Sequence, residues 1–311
     1  MITVVVPIYH DAYFAEAFCK ELQHVMQKLL YKKDIKKIVE LIFVNDGSTD
    51  NSLDTLLNLA KKYSFIKVID LSRNFGQHAA IACGLLESKG EIVLRVNVDM
   101  QDPLDQIPRF LSVMKKEECD LVIGQYKKRN SRIITKIHSY FFYHFFNFLT
   151  GFKIPQNTSA LRAMSRKYVE EYNKLTEKSR FPQGLDHWLG FKHKYIKIDH
   201  KKRIDNKSSY SFYSRMKMSI DAIIYFSERP LILIVLFGFL LALVGFILVA
   251  GLILNKFIGI DFIPGYLSTI SILVLFFGAQ FFSFGVVGLY VAKTFREVQN
   301  RPLFIIRDRY L

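Results

Sequence analysis

A short polar run in the first third of the chain has residue types that suit the binding of a divalent cation. It follows residues 90–94, an apolar stretch that predicts a buried strand. Asn97, Asp99 and Gln101 carry oxygen-bearing side chains at alternate positions, which point to the same side of an extended chain. Carboxylate and amide oxygens bind Mg²⁺ or Mn²⁺, and such an ion can also hold a substrate diphosphate. A solvated loop could have the same composition, so the surrounding elements decide between the two interpretations.

The first 120 residues alternate between strand and helix patterns. Apolar strands are predicted at residues 3–8, 41–44, 67–71, 92–96 and 121–123, and amphipathic helices at 12–30, 52–63 and 77–89. This alternation predicts an α/β fold, a mostly parallel sheet with helices on both faces. Ligands of such sheets bind beyond the carboxyl ends of the strands. Tyr9, Asp46 and Asp99 all fall at predicted strand ends, which favours a binding site over a solvated loop.

The composition narrows the choice of partners. Lys and Arg number 43 against 28 Asp and Glu, and the chain has 28 Phe and 16 Tyr. Basic and aromatic residues together indicate nucleic acid or a membrane surface. Their distribution favours the membrane, and we expect no nucleic-acid partner. The three cysteines form no C-x-x-C pair and no metal-binding spacing, which is typical of thiols in a reducing compartment. We also expect no signal peptide, because the apolar opening is short and lacks a basic leader.

Two apolar stretches in the last third of the chain are long enough to cross a bilayer. Residues 231–254 and 264–292 contain no charged residue, and each exceeds the roughly 20 residues that a spanning helix needs. Basic residues lie outside the pair, so the positive-inside rule places both flanks in the cytoplasm. The predicted domains are a cytoplasmic catalytic domain at 1–228, two transmembrane helices within 229–293 and a basic cytoplasmic tail at 294–311.

Two further segments have the composition of helices that lie in the membrane interface. Residues 131–152 are rich in Phe and follow a basic run, and residues 208–228 repeat the pattern. Amphipathic helices of this kind lie in the interface plane, although core packing would account for some of the same residues. We therefore expect a multi-pass protein of the inner (cytoplasmic) membrane that contacts membrane lipids. A homo-oligomer is compatible with this organisation.

Four motifs, in order along the chain, resemble those of the family 2 glycosyltransferases with the GT-A fold. They are Val5-Val6-Pro7-Ile8-Tyr9, Val44-Asn45-Asp46-Gly47-Ser48-Thr49-Asp50, Leu71-Ser72-Arg73-Asn74-Phe75-Gly76-Gln77 and Asp99-Met100-Gln101-Asp102-Pro103. The chain is most similar to the polyprenyl-phosphate sugar transferases and dolichyl-phosphate mannosyltransferase, including the C-terminal apolar segments. The resemblance implies a Rossmann-like GT-A sheet, a nucleotide-sugar donor and Mg²⁺ or Mn²⁺. It favours a polyprenyl phosphate, such as undecaprenyl phosphate, as acceptor on the cytoplasmic leaflet.

The resemblance also implies roles for single residues. The nucleotide sugar would contact Pro7, Tyr9, Asp11, Asp46, Arg73, Asn74 and Asn97. Among these, Asp46 would accept a hydrogen bond from the base, whereas helix capping explains Arg73 and Asn74 equally well. Asp99, with Gln101 beside it, would bind the metal, which neutralises the leaving nucleoside diphosphate.

Four positions depart from the family pattern. Asn45 stands in the usual acidic pair before the turn after the second strand, and Asn97 replaces the first carboxylate of the usual D-x-D. Ala160 replaces an Asp near the reacting centre, and Tyr126 replaces an Arg. Asp186, shortly before Trp188, is the best replacement carboxylate. A general base is needed only for a hydroxyl acceptor, because a phosphate oxygen is already anionic. Two alternatives therefore stay open, a transferase that extends a lipid-linked glycan at a sugar hydroxyl and a catalytically silent membrane adaptor.

Overall fold

The computed structural model describes residues 1–31, 39–127, 133–178, 180–199, 212–257 and 265–310. Its strands are β1 (Ile2–Ile8), β2 (Val39–Asn45), β3 (Ile66–Leu71), β4 (Ile92–Arg95), β5 (Leu121–Tyr126), β6 (Thr158–Ser165), β7 (His193–Ile198) and β8 (Ile306–Tyr310). Its helices are α1 (Ala15–Tyr31), α2 (Ser52–Lys62), α3 (Gln77–Glu87), α4 (Ile107–Glu117), α5 (Ile133–Thr150), α6 (Arg166–Lys174), α7 (Pro182–Trp188), α8 (Phe212–Phe226), α9 (Arg229–Phe257) and α10 (Tyr266–Val298). The predicted alternation of strands and helices up to β5 is confirmed.

The described strands form one mixed sheet in the order β7-β5-β6-β4-β1-β2-β3-β8. β1 lies in the middle and pairs in parallel with β2 and β4, and β2 pairs in parallel with β3. β6 runs antiparallel to β4 and β5, and β8 runs antiparallel to β3. The parallel pairs bring the carboxyl ends of β1 to β4 to one edge of the sheet, where the predicted site residues follow.

Helices cover both faces of this sheet, as predicted. Leu41 and Phe43 of β2 belong to the large core cluster that also contains side chains of α1, α2 and α4. Ile42 and Val44 point to the opposite face and pack with α3. Gly84 allows α3 to approach closely, because a Cβ there would lie 2.3 Å from a methyl group of β1. The β-branched strands are therefore buried from two sides, which is the pattern of a parallel α/β sheet.

The C-terminal residues form an edge strand where the sequence predicts only a basic tail over 294–311. Residues Ile306–Tyr310 pair with β3 and extend the sheet by one strand. Arg307 and Arg309, whose charges indicate a solvated tail, instead form ion pairs with acidic residues of β3 and α3. Long-range partners of this kind cannot be recognised from the local composition.

The described residues divide into two compact units, and the second consists of residues 146–151 and 213–300. It contains α9 and α10, which coincide with the predicted transmembrane helices and are long and apolar enough to cross a membrane. Phe246 and Phe281 expose 73% of their surface, so these helices are not the core of a soluble unit.

The two predicted interface segments are helical, as α5 and α8. Their placement in a membrane interface stays a prediction. Parts of the predicted segments lie outside the described residues, namely 131–132, 208–211 and the start of the second span at 264.

Candidate active site

A cavity of about 320 Å³ opens at the carboxyl ends of the parallel strands. It is lined by Pro7, Ile8, Tyr9, Asp11, Asp46, Asn74, Gly76, Gln77, Asn97 and Asp99. The cavity therefore brings together seven of the predicted site residues, contributed by the ends of β1 and β2, the loop before α3 and the run after β4. Arg73, Gln101 and Asp186 do not line it.

The loop after β1 presents an aromatic ring to solvent. The backbone N–H of Tyr9 donates to Asp11 Oδ1 at 2.9 Å, which closes a tight turn around His10, whose φ is +60°. The N–H of His10 donates to Ser48 Oγ at 3.2 Å and so joins this loop to the one after β2. Tyr9 is left 48% exposed, and its ring is therefore available to stack on a ligand.

Asp46 holds the loop between β3 and α3. Its Oδ1 accepts from the N–H of Phe75 at 2.7 Å and its Oδ2 accepts from the N–H of Gly76 at 2.9 Å. Burial raises the pKa of this carboxyl, and the two backbone donors oppose that effect by favouring the charged form. Each oxygen retains a second lone pair, so hydrogen bonding of Asp46 to a base stays a prediction beside this observed structural role.

Gly47 lets the loops after β2 and β3 touch. Its φ is +64°, and a Cβ would lie 2.2 Å from the carbonyl carbon of Arg73. The Arg73 guanidinium lies 4.1 Å from the ring centroid of Phe75 and donates to the carbonyl oxygen of Asn74 at 3.0 Å. Arg73 is thus an exposed residue beside the cavity, and its contact with a phosphate stays a prediction.

The run from Asn97 to Gln101 is predicted to be extended over its whole length, and the structure shows that it is not. β4 ends at Arg95, and Met100 has a φ of +58°, so the alternation that would align Asp99 with Gln101 is broken. The N–H of Gln101 donates to Asp99 Oδ1 at 3.3 Å. The assumed geometry is therefore wrong at Gln101, and its role as a metal ligand stays a prediction. Asn97 and Asp99 both line the cavity.

The side chains present fit a divalent cation that is shared with a substrate. Among the described residues, no group of three or more His, Cys, Asp and Glu side chains could hold a metal ion. Asp99 offers one carboxylate to the cavity, and the Oδ1 of Asn97 accepts from Gln77 Nε2 at 2.8 Å. Mg²⁺ is often held by one or two carboxylates together with substrate phosphates. The donor set matches that case and does not match a resident ion held by protein ligands alone.

Two of the four departures from the family pattern, Tyr126 and Ala160, lie in or beside a buried hydrogen-bond network for which the sequence predicts no role. Asp102 is 2% exposed and accepts hydrogen bonds from Tyr126 Oη at 2.7 Å and from Ser159 Oγ, next to Ala160. Burial raises the pKa of the Asp102 carboxyl, and the two hydroxyl donors oppose that effect. The only sequence signal for this network is the position of Asp102 within the fourth motif.

Asp186 is buried and paired away from the cavity. It is 1% exposed, its Oδ2 lies 2.5 Å from Arg162 Nη1, and its Oδ1 accepts from Tyr168 Oη at 2.7 Å. Both oxygens of this carboxylate are thus already engaged by other side chains. Its proposed use as a base stays a prediction, and its observed contacts orient Arg162.

Comparisons with known proteins agree with this geometry. The family model described as glycosyl transferase family 2 matches residues 3–173. An uncharacterized glycosyltransferase of Synechocystis is 30% identical over 310 residues, which cover 99% of this chain and 95% of the relative. A prophage bactoprenol glucosyl transferase homolog of Escherichia coli is 28% identical over 308 residues, or 98% of both chains.

A solved structure shares the fold. Glucosyl-3-phosphoglycerate synthase of Mycobacterium tuberculosis, in complex with Mn²⁺, UDP-glucose and phosphoglyceric acid, superimposes with a TM-score of 0.50 at 18% identity. The match covers 72% of this chain and 77% of that one. At this identity the likeness concerns the fold alone.

Proposed function

The chain belongs to glycosyl transferase family 2, and we propose that it transfers a sugar from a nucleotide-sugar donor to a polyprenyl phosphate at a membrane. One observation carries the proposal: one cavity at the carboxyl ends of the strands gathers Asn97, Asp99 and the loops that are predicted to bind the nucleotide. The likeness to the bactoprenol glucosyl transferase homolog runs through both apolar helices and supports the lipid acceptor.

The donor half of the reaction uses the cavity residues. The exposed ring of Tyr9 stacks on the nucleoside, and the loop that Asp46 holds brings Asn74 to the sugar and phosphates. Asp99 would hold Mg²⁺ or Mn²⁺, with the donor diphosphate supplying further oxygen ligands. When bound, the ion supplies charge neutralisation for the leaving nucleoside diphosphate.

The chain offers no obvious general base, and a phosphate acceptor does not need one. The acceptor oxygen is anionic at neutral pH and attacks without losing a proton, so no general base is required. Position 160 is an alanine, and Asp186 is already engaged by Arg162. A sugar hydroxyl as acceptor would need a positioned base, and neither position 160 nor Asp186 supplies one in the cavity.

The edge strand β8 supports the proposed membrane topology. β8 pairs with β3, so both lie on the same side of any membrane that the chain crosses. Between the sheet and β8 the chain passes through α9 and α10. These helices therefore cross together or not at all, which agrees with two cytoplasmic flanks and a short external connection. The basic flanks favour the inner leaflet side for the catalytic unit.

The test is a transfer assay with purified full-length protein in detergent. A panel of nucleotide sugars is incubated with undecaprenyl phosphate or with a lipid-linked glycan that offers only hydroxyl groups. We expect release of nucleoside diphosphate and a lipid product heavier by one sugar with undecaprenyl phosphate alone. Transfer to the glycan alone would establish the hydroxyl acceptor, and no transfer to either would favour the silent adaptor.

A further inference from the structure

Two arginines lie on adjacent strands in the protein interior, one at the carboxyl end of β4 and one within β6. Arg95 of β4 and Arg162 of β6 are directly paired positions of the antiparallel ladder, so their side chains project from the same face. They are 7% and 3% exposed. Arg162 has a counter-ion in Asp186, at 2.5 Å. The charge of Arg162 disfavours the charged form of Arg95, as expected for like charges in the protein interior.

Arg95 lacks such a counter-ion. Across the described parts of the chain, no hydrogen bond or ion pair joins its guanidinium to another residue, and its Nε is buried without a partner. Burial beside Arg162 lowers the pKa of Arg95 to about 10, which still leaves it charged at neutral pH. Leaving a buried charge unpaired is one of the most destabilising arrangements in a protein.

The acidic neighbours favour the charge of Arg95, but among the described residues none forms an ion pair with it. The Nε of Arg162 and the Nδ1 of His78 are also buried without a hydrogen-bond partner. Burial and the two arginines lower the pKa of His78 to about 3, so its ring is neutral. The acidic neighbours are Asp186, which Arg162 engages, and Asp102, which Tyr126 and Ser159 engage. Asp186 Oδ2 is also buried without a hydrogen-bond partner, but it is taken up by the ion pair with Arg162. Arg95 therefore keeps a buried positive charge that a bound anion would balance.

We propose that Arg95 and Arg162 form an anion site that binds the phosphate group of the acceptor. Guanidinium groups bind phosphate oxygens through paired N–H donors, and Arg95 is the last residue of β4, at the sheet edge where the cavity opens. Neither arginine lines the donor cavity. If the donor diphosphate occupies that cavity, the remaining anion of the reaction is the acceptor phosphate. The identity of this anion rests on the proposed function. The existence of the site does not.

The test compares Arg95→Met with the wild-type protein, both full-length in detergent. The substitution keeps an apolar side chain of similar length and removes the charge. We expect the KM for undecaprenyl phosphate to rise at least about tenfold and the KM for the nucleotide sugar to change less than about twofold. We also expect Arg95→Met to melt at a higher temperature, because an unpaired buried charge is lost. Inorganic phosphate should raise the melting temperature of the wild type and leave that of the variant unchanged.

Arg166→Met is the matched control, because Arg166 is a partly buried arginine whose donors are used by the Gly90 carbonyl and Ser88 Oγ. It should melt at a lower temperature, with both KM values unchanged. A lower melting temperature for Arg95→Met, or an unchanged KM for the acceptor, would make Arg95 a structural residue and overturn the site. A rise in the donor KM alone would assign the anion to the donor diphosphate and overturn the acceptor assignment.

The anion site can be tested even if the proposed function is wrong. If the wild type transfers no sugar to undecaprenyl phosphate, the thermal response to inorganic phosphate still tests the anion site. A response that Arg95→Met abolishes would keep the site, and a response equal in both proteins would overturn it.

Discussion

Arg307 and Asp70 form an ion pair at 3.3 Å although 237 residues separate them in the sequence. Asp70 is 1% exposed and also accepts from Asn45 Nδ2 at 2.7 Å, at the end of β2. The second Nη of Arg307 donates to the carbonyl oxygen of Ser72 at 2.7 Å. The C-terminal strand therefore fixes the start of the loop that carries Asn74 into the cavity.

Arg307→Met is expected to weaken donor binding and to lower the melting temperature. The Arg307 side chain is 55% exposed but Asp70 is 1% exposed, so the substitution removes the charged partner of a buried carboxylate, which keeps its hydrogen bond from Asn45. Loss of the ion pair also frees the loop after β3, and the KM for the nucleotide sugar should rise about threefold to tenfold with kcat nearly unchanged. Arg309→Met is the control, because Arg309 on the same strand pairs with Glu87 instead. Equal effects of the two variants would contradict a specific role for Arg307.

Gly47→Ala should weaken donor binding. A Cβ at position 47 would lie 2.2 Å from backbone of Arg73, so the loops after β2 and β3 must separate. We expect the affinity for nucleoside diphosphate, measured by calorimetry, to fall at least about tenfold, which corresponds to about 1.4 kcal/mol. Gly190→Ala is a matched control, because Gly190 has a φ of +70° and no atom within 4 Å of an added Cβ. It should show only the cost of the left-handed backbone, about 1 kcal/mol of stability.

Asp99→Ala should abolish turnover while the fold stays intact. Asp99 is the carboxylate that the cavity offers to the metal in the D-x-D position, and loss of the ion removes several kcal/mol of transition-state stabilisation, roughly a thousandfold in rate. Chelation of divalent cations should stop the wild-type reaction equally. Asn97→Ala should cost less, and Asn97→Asp should lower the metal concentration needed for half-maximal rate. Near-wild-type activity of Asp99→Ala would refute the metal assignment.

The residues that line the cavity can be predicted from the sequence because they follow strands. Tyr9, Asp46 and Asp99 each follow an apolar strand, and parallel strands place their carboxyl ends together. The Arg95–Arg162–Asp186 arrangement depends instead on the antiparallel register of β4 and β6, which no local pattern encodes. The left-handed backbone at Met100 and the pairing of β8 with β3 are likewise set by tertiary contacts.

A reporter fused after Leu311 is expected to behave as cytoplasmic, and one inserted near Ile258 as external. The first expectation follows from the pairing of β8 with β3, which keeps the C-terminal end beside the catalytic unit. The second follows from two crossings by α9 and α10. The transferase activity of each fusion should also be measured, and the reporter signal should be interpreted only for fusions that are active and therefore folded. An external C-terminal reporter on an active enzyme would contradict the two-helix topology.

Asp186→Asn separates the two acceptor classes. The substitution keeps the size of the side chain and removes the negative charge that faces Arg162. If Asp186 were a general base for a hydroxyl, turnover per folded molecule would fall about a hundredfold or more. With a phosphate acceptor we expect a loss below about tenfold, together with a lower melting temperature because Arg162 loses its counter-ion.

Tyr168→Phe isolates the structural part of that effect, since it removes the hydroxyl that donates to Asp186 Oδ1 and keeps the carboxylate. Turnover is followed by release of nucleoside diphosphate and is normalised to the folded fraction from thermal unfolding. For a phosphate acceptor, both variants should lose stability and each should lose less than about tenfold in turnover, because the attacking oxygen brings its own negative charge. A hundredfold loss in Asp186→Asn beside full turnover in Tyr168→Phe would instead identify Asp186 as the base and the acceptor as a hydroxyl.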